Sequence, residues 1–156
     1  AAPGFHPRFS AKRRTYVYRF YRRRIRNPLW DRYAWQIAVP LDGATMRAAA
    51  AVLVGEHDFA TFGQPPGEDD ADAPGHSRRQ VTRSELDWAD GALSSYTITT
   101  NAFLQRMVRS IVGTLVEVGR GAMSPEEFAA ALAAADRRRA GPTAPAHGLT
   151  LVSVEY

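Results

Sequence analysis

Thr15-Tyr16-Val17-Tyr18-Arg19-Phe20-Tyr21 is the stretch whose reading decides the fold. Its aromatic and β-branched side chains suit a pleated surface, and it predicts a strand. Side chains on a strand alternate between faces, so Tyr16, Tyr18 and Phe20 share one face and Val17, Arg19 and Tyr21 the other. Asn27-Pro28 breaks the run, and Tyr33–Val39 reads as a second short strand or loop. Asp42 caps a helix over Ala44–Val54, with Met46, Ala49, Ala50 and Leu53 at helical spacing and Gly55 ending it.

Further along, residues 63–75 are rich in Pro, Gly and Asp and read as a mobile loop. Arg79–Leu86 and Leu93–Thr100 predict two strands, joined as a hairpin around Asp90-Gly91. Phe103, Met107, Ile111, Leu115 and Val118 form the clearest helical stripe, closed by Gly119 and Gly121. Ser124-Pro125-Glu126-Glu127 is a capping box that opens an alanine-rich helix to about Ala135, with Arg137–Arg139 near its C-terminal end. Gly141–Gly148 is a loop, and Leu149–Tyr156 alternates as a final strand. Strands and helices are mixed without regular βαβ alternation. The expectation is an α+β fold: one domain over residues 1–156, its antiparallel-dominated mixed sheet carrying helices on one face.

The 156 residues suffice for one core, and no apolar run approaches the ~18 residues of a membrane span. The absence of cysteine excludes disulfides, thiolate catalysis and Cys-ligated metal, and suits the cytoplasm. His6, His57, His76 and His147 share no metal-ligand spacing, so no metal is expected. Charge is the informative quantity. Residues 1–32 hold ten of the twenty basic side chains against one acid, Asp31, a net +9, while residues 33–156 sum to −5. Nineteen of the twenty cations are arginine, which pairs bidentately with phosphate and stacks on bases. A basic arm interleaved with aromatics is a nucleic-acid signature; the alternative is a solvated surface on which arginine replaces lysine.

Two constellations could carry chemistry. Arg14-x-Tyr16-x-Tyr18 sets two tyrosines on one strand face. In Asn101–Gly113, read as helical from Phe103, Arg109 falls at the border of the apolar stripe beside Val112 and Val116. Such an arginine is costly to desolvate without an anionic partner, although a snorkelling side chain would also satisfy the pattern. Gly113, one turn on, admits a close approach by another backbone or a ligand. Arg79 and Arg83 sit at i and i+4 of a strand, hence on one face, where both would contact phosphates or form a solvated edge. Arg22–Arg24 and Arg26 either reach nucleic acid or protect an exposed edge strand.

Several motifs appear in order: Phe5-His6-Pro7-Arg8-Phe9-Ser10-Ala11, Arg14-x-Tyr16-x-Tyr18, Leu53-x-Gly55-x-His57-Asp58-Phe59-x-x-Phe62, and Asn101-Ala-Phe-Leu-x-x-Met107-Val-Arg109-x-Ile111-Val-Gly113. Val118-Gly119 and Ala144-Pro145-x-x-Gly148-Leu149-x-Leu151-x-x-Val154-x-Tyr156 complete the set. Together they resemble the C-terminal half of the tRNA pseudouridine synthase A family over nearly the whole chain. The resemblance implies an isomerase that converts uridine to pseudouridine in the tRNA anticodon arm, at positions 38 to 40. It implies no cofactor, a homodimer, and two related α+β halves around a basic cleft. Tyr16 matches the family's active-site tyrosine, which stacks on the flipped base. Arg109 matches the arginine that pairs with the nucleophilic aspartate, and Leu149 the apolar wall near the base. Arg14, Arg79 and Arg83 are the further expected substrate contacts.

The family's nucleophile sits in a Gly-Arg-Thr-Asp-x-Gly-Val-His motif that does not occur in these 156 residues. The expectation is therefore a fragment that needs its own N-terminal half for the catalytic aspartate and is inactive alone. Asp58 reads as packing, the Asp69, Asp70 and Asp72 cluster as solvated, and His57 as a hydrogen-bonded structural histidine. A non-catalytic RNA-binding module and a dimerisation domain with a basic tail are the competing classes.

Overall fold

The computed structural model describes residues 10–64, 76–90 and 93–156. The segment read as a strand is β1, Arg13–Tyr21, and it lies in the interior of the sheet. One neighbour is β5, Leu93–Thr100, antiparallel, with Tyr16 opposite Ile98 and Tyr18 opposite Tyr96. The other side is shared by β6, Leu149–Glu155, antiparallel, and β2, Trp35–Gln36, parallel. β4, Arg78–Asp87, and β3, Gly55–Asp58, complete the order β2-β1-β5-β4-β3. The expected antiparallel-dominated mixed sheet is present. Its one parallel pair follows a connection long enough to turn the chain around.

Several boundaries differ from the sequence reading. The second strand shrinks to two residues because the chain winds before it: Trp30 and Asp31 donate to the Asn27 carbonyl, and Ala34 to that of Trp30. This turn covers Tyr21, whose ring meets Trp30 edge-on at 5.3 Å and whose hydroxyl donates to Asp31. The first helix, α1, runs Gly43–Ala51 and is capped by Asp42, as its chemistry dictates. It stops short of Val54, and Gly55 (φ 115°) turns the chain into β3 instead of capping the helix. Glu56-His57-Asp58 carries no β-branched residue and becomes a strand only through its pairing with Arg78–Val81. β4 and β5 pair as the expected hairpin; Gly91 of its turn, and most of the loop read over 63–75, lie outside the described residues, as do Asp69, Asp70 and Asp72.

The helix expected from Phe103 begins only at Met107; α2 spans Met107–Gly119. Phe103 belongs to the preceding loop, where the Asn101 side chain accepts from the N–H groups of Gln80 and Ala102. α3, Pro125–Ala134, carries the complete Ser124/Glu127 capping box and ends in a left-handed Ala135 (φ 49°). Arg137–Arg139 therefore form a separate short turn beyond the helix, and Arg137 reaches the Thr61 carbonyl and the Thr143 hydroxyl.

The three helices lie on one face of the sheet, against the even residues of β1. Tyr18 and Phe20 are fully buried with Ile98, Ile111 and Leu115, and Phe62 stacks on Phe128 at 5.4 Å at the α3 end. No helix among the described residues is long and apolar enough to cross a membrane.

Candidate active site

On the helix side of the sheet, Tyr16 reaches the surface where the helical cover stops. A cleft of about 360 Å³ opens there, within the range of small-molecule sites. Its walls come from three separate parts of the chain: Tyr16 on β1, Leu149 at the start of β6, and the Phe103–Arg109 segment that leads into α2. Tyr16, Arg109 and Leu149, expected to act together, thus meet in one cavity. Phe103 packs edge-to-face on Tyr16 with ring centroids 4.8 Å apart and planes at 85°, which fixes the phenol's orientation.

Arg109 is held from behind. Its Nε donates to the Ala144 carbonyl at 2.7 Å, and the Ala144 N–H donates back to the Arg109 carbonyl at 3.0 Å. Tyr18 secures the next residue, its hydroxyl donating to the Pro145 carbonyl at 2.7 Å. Burial pushes the Tyr18 phenol above its ordinary range, with the Arg109 guanidinium pulling the other way, so it remains a neutral donor. Two glycines make this strap possible. A Cβ on Gly113 would drive into the Pro142 carbonyl, and one on Gly148 would come within 2.6 Å of the Tyr18 ring. The sequence reading of Gly113 as a point of close approach holds, and what approaches is the strap itself.

With Nε committed, the terminal nitrogens of Arg109 remain for a ligand in the cleft. Among the described residues no carboxylate forms an ion pair with it. An arginine fixed beside Tyr16, Leu149 and Phe103 can orient an acid or a phosphate against an aromatic and aliphatic wall.

The remaining candidates fall elsewhere. Arg14 shares the Tyr16 face one step along β1, outside the cleft lining, and donates to the Asn101 carbonyl at 3.1 Å. Arg79 and Arg83 do not share a face, which corrects the strand argument. A bulge between Val81 and Arg83 inserts one residue into β4, so Arg79 lies on the helix side with Val81 while Arg83 projects from the opposite face. Ser84, whose hydroxyl donates to the Ala50 carbonyl of α1, fixes that phase. Arg79 donates to the carbonyls of His76 and Arg78, and burial lowers its pKa, with Asp58 opposing. Arg83 pairs with Glu85 at 2.7 Å.

His57 bonds the Val54 carbonyl, and Asp58 accepts from Ala60 N–H and Ser77 Oγ, so both are structural as expected. Arg22 stacks over Trp88 at 4.2 Å and pairs with Asp90; Arg26 pairs with Asp31. The residue that sequence reasoning passed over is Arg106, which lines the cleft in a left-handed backbone conformation (φ 63°). Within a presumed continuous helix it carried no signal.

The family described as tRNA pseudouridine synthase matches residues 49–156. A protein of Moorella thermoacetica named tRNA pseudouridine synthase A is 43% identical over 99% of this chain and 61% of its own length. Proteins of the same name from Syntrophotalea carbinolica and Bordetella petrii are 44% and 42% identical, each over 97% of this chain and over 58% and 54% of their own lengths. The chain spans between half and two thirds of the length of these curated relatives. With the match running from α1 through the Arg109 helix to β6, the chain belongs to the tRNA pseudouridine synthase family.

Proposed function

We propose that this chain is the cleft-bearing half of an enzyme that isomerises uridine to pseudouridine in the anticodon arm of tRNA, at positions 38 to 40. The observation that carries the reading is the convergence of Tyr16, Leu149 and a pre-anchored Arg109 on one cleft. A base cannot react while stacked in RNA, and its extrusion costs a few kcal/mol that must be offset by contacts in the enzyme. Tyr16 gives the extruded uracil an aromatic platform, and Leu149 supplies the opposite wall. Arg109 keeps an incoming aspartate ionised at neutral pH and holds the nucleotide's polar edge.

That aspartate comes from outside these 156 residues, from the enzyme's N-terminal half. It helps break the bond from ribose to uracil N1; the base turns and rejoins through C5, and N1 regains a proton as C5 loses one. Tyr16 takes the C5 proton on this reading. The sum is an isomerisation that consumes no cofactor.

The β6 edge supports this reading: Leu151 and Val152 are 47% and 55% exposed on a strand that, among the described residues, pairs only with β1. We assign that edge to the N-terminal half, in a homodimeric cytoplasmic enzyme. Arg14, Arg79 and Arg83 serve RNA backbone beyond the cleft, from two faces of the sheet.

Arg109→Met in the full-length protein tests the reading. Tritium release from C5-labelled uridine in tRNA is expected to fall by about a thousandfold, while tRNA affinity stays within a few-fold. Equal losses in turnover and binding would instead favour a non-catalytic RNA-binding module.

A further inference from the structure

Arg106 holds a position that its backbone disfavours. It sits at φ 63° and ψ 3°, a conformation that among the described non-glycine residues only Ala135 shares with it in the sign of φ. The local reason is the entry to α2. The chain leaves the Gln64–Gln105 bridge and must reverse within one residue to begin the helix at Met107. Glycine would meet that demand without crowding between Cβ and the following carbonyl, and asparagine would offset it by local hydrogen bonding of its short polar side chain. Arginine brings nothing to the turn itself. Its side chain is exposed, lines the cleft, and makes no hydrogen bond or ion pair among the described residues.

The two arginines of the cleft differ in anchorage. Arg109 is tied through Nε to Ala144. Arg106 stands one turn earlier at the solvent side, its donor fork without a partner among the described residues. A residue held in a sparsely populated backbone state at a ligand cleft points to a role for its side chain there. Given the tRNA reading of the cleft, on which this inference rests, a nucleotide whose base lies against Tyr16 and Leu149 directs its phosphates outward. We propose that Arg106 is a phosphodiester-binding residue that grips the RNA backbone beside the nucleotide entering the cleft. A guanidinium fork matches two phosphate oxygens, and such a contact sets the register of the strand without reading sequence.

The test uses the full-length protein carrying Arg106→Asn, Arg106→Gly or Arg106→Lys, titrated with unmodified tRNA at several salt concentrations. Asparagine and glycine suit the turn, so their melting temperatures are expected to equal or exceed that of the parent. Their tRNA affinity is expected to fall about tenfold near 0.15 M salt, and the log–log salt slope to become shallower by about one. Lysine restores the slope but only part of the affinity, because it lacks the fork. Unchanged affinity and slope in Arg106→Asn would overturn the proposal, as would weaker binding with an unaltered slope. Failure of the isomerase reading is separate: a parent protein that binds tRNA without releasing tritium defeats that reading, while the salt titration still decides Arg106. A parent that does not bind tRNA overturns both.

Discussion

Tyr18 and Phe20 on the one hand, and Tyr16 on the other, occupy the same face of the same strand, yet the first two are fully buried and the third borders a cleft. The strand does not make the difference; the layer above it does. Over Tyr18 and Phe20 the cover is continuous, because α2 packs on the sheet and the Pro142–Gly148 strap is drawn against Gly113 and the Tyr18 ring. Over Tyr16 the helix has not yet begun, and the cover is the Asn101–Arg106 loop, with the Phe103 ring set perpendicular to that of Tyr16. Delaying the helix by one turn converts a core position into the wall of a cleft.

That contrast can be broken by exchanging what each position loses. Phe20→Ala removes a fully buried ring and is expected to cost about 3–5 kcal/mol in urea unfolding, close to the whole stability of many domains. Tyr16→Phe is the mirror case. Stability is expected to change by no more than about 0.5 kcal/mol, while tritium release falls about a hundredfold or more, the loss typical of a general acid or base. Normal turnover by Tyr16→Phe would show that the open end of the strand is not where chemistry occurs.

Gly113→Ala sharpens the contrast from the side of the cover. The added methyl meets backbone rather than a flexible side chain, so the strap must shift, at about 3 kcal/mol or less. Because the shift also loosens the Ala144 carbonyl from Arg109 Nε, activity is expected to fall more than stability accounts for. The smallest effect belongs to Tyr18→Phe, which leaves the Pro145 carbonyl without its donor, at about 1 kcal/mol in thermal or urea unfolding. A larger stability loss in Tyr16→Phe than in Tyr18→Phe would reverse the assignment of the two ends.

Much of the fold was legible because its signals are local. The aromatic run of β1, the Asp42 cap and the Ser124/Glu127 box act through neighbours in sequence, and each appears where its chemistry places it. β3 was not legible, since Gly55–Asp58 is extended only by virtue of a partner more than a loop away. The α2 start misled for a physical reason: Phe103 fills the apolar position that a longer helix would have offered, but does so from a loop. The bulge in β4 was invisible for the same reason as β3, because an inserted residue is defined by the strand opposite, and it alone separates Arg79 from Arg83. Of the candidate site, strand alternation and the border of a helical stripe singled out Tyr16 and Arg109, but only the ordered motifs joined them to each other and to Leu149, because periodicity cannot bring a strand, a helix and an edge together. Arg106 needed coordinates, since backbone strain leaves no trace in residue identity.

On the proposed reading, Tyr16 and Arg109 supply the aromatic and cationic part of a pocket whose carboxylate comes from another part of the enzyme. Tritium release from C5-labelled tRNA, measured side by side for the full-length protein and for residues 1–156 verified as folded by circular dichroism, tests it most directly. Release is expected from the full-length protein and none from residues 1–156 alone. Release by residues 1–156 alone would place the nucleophile within them and contradict that reading.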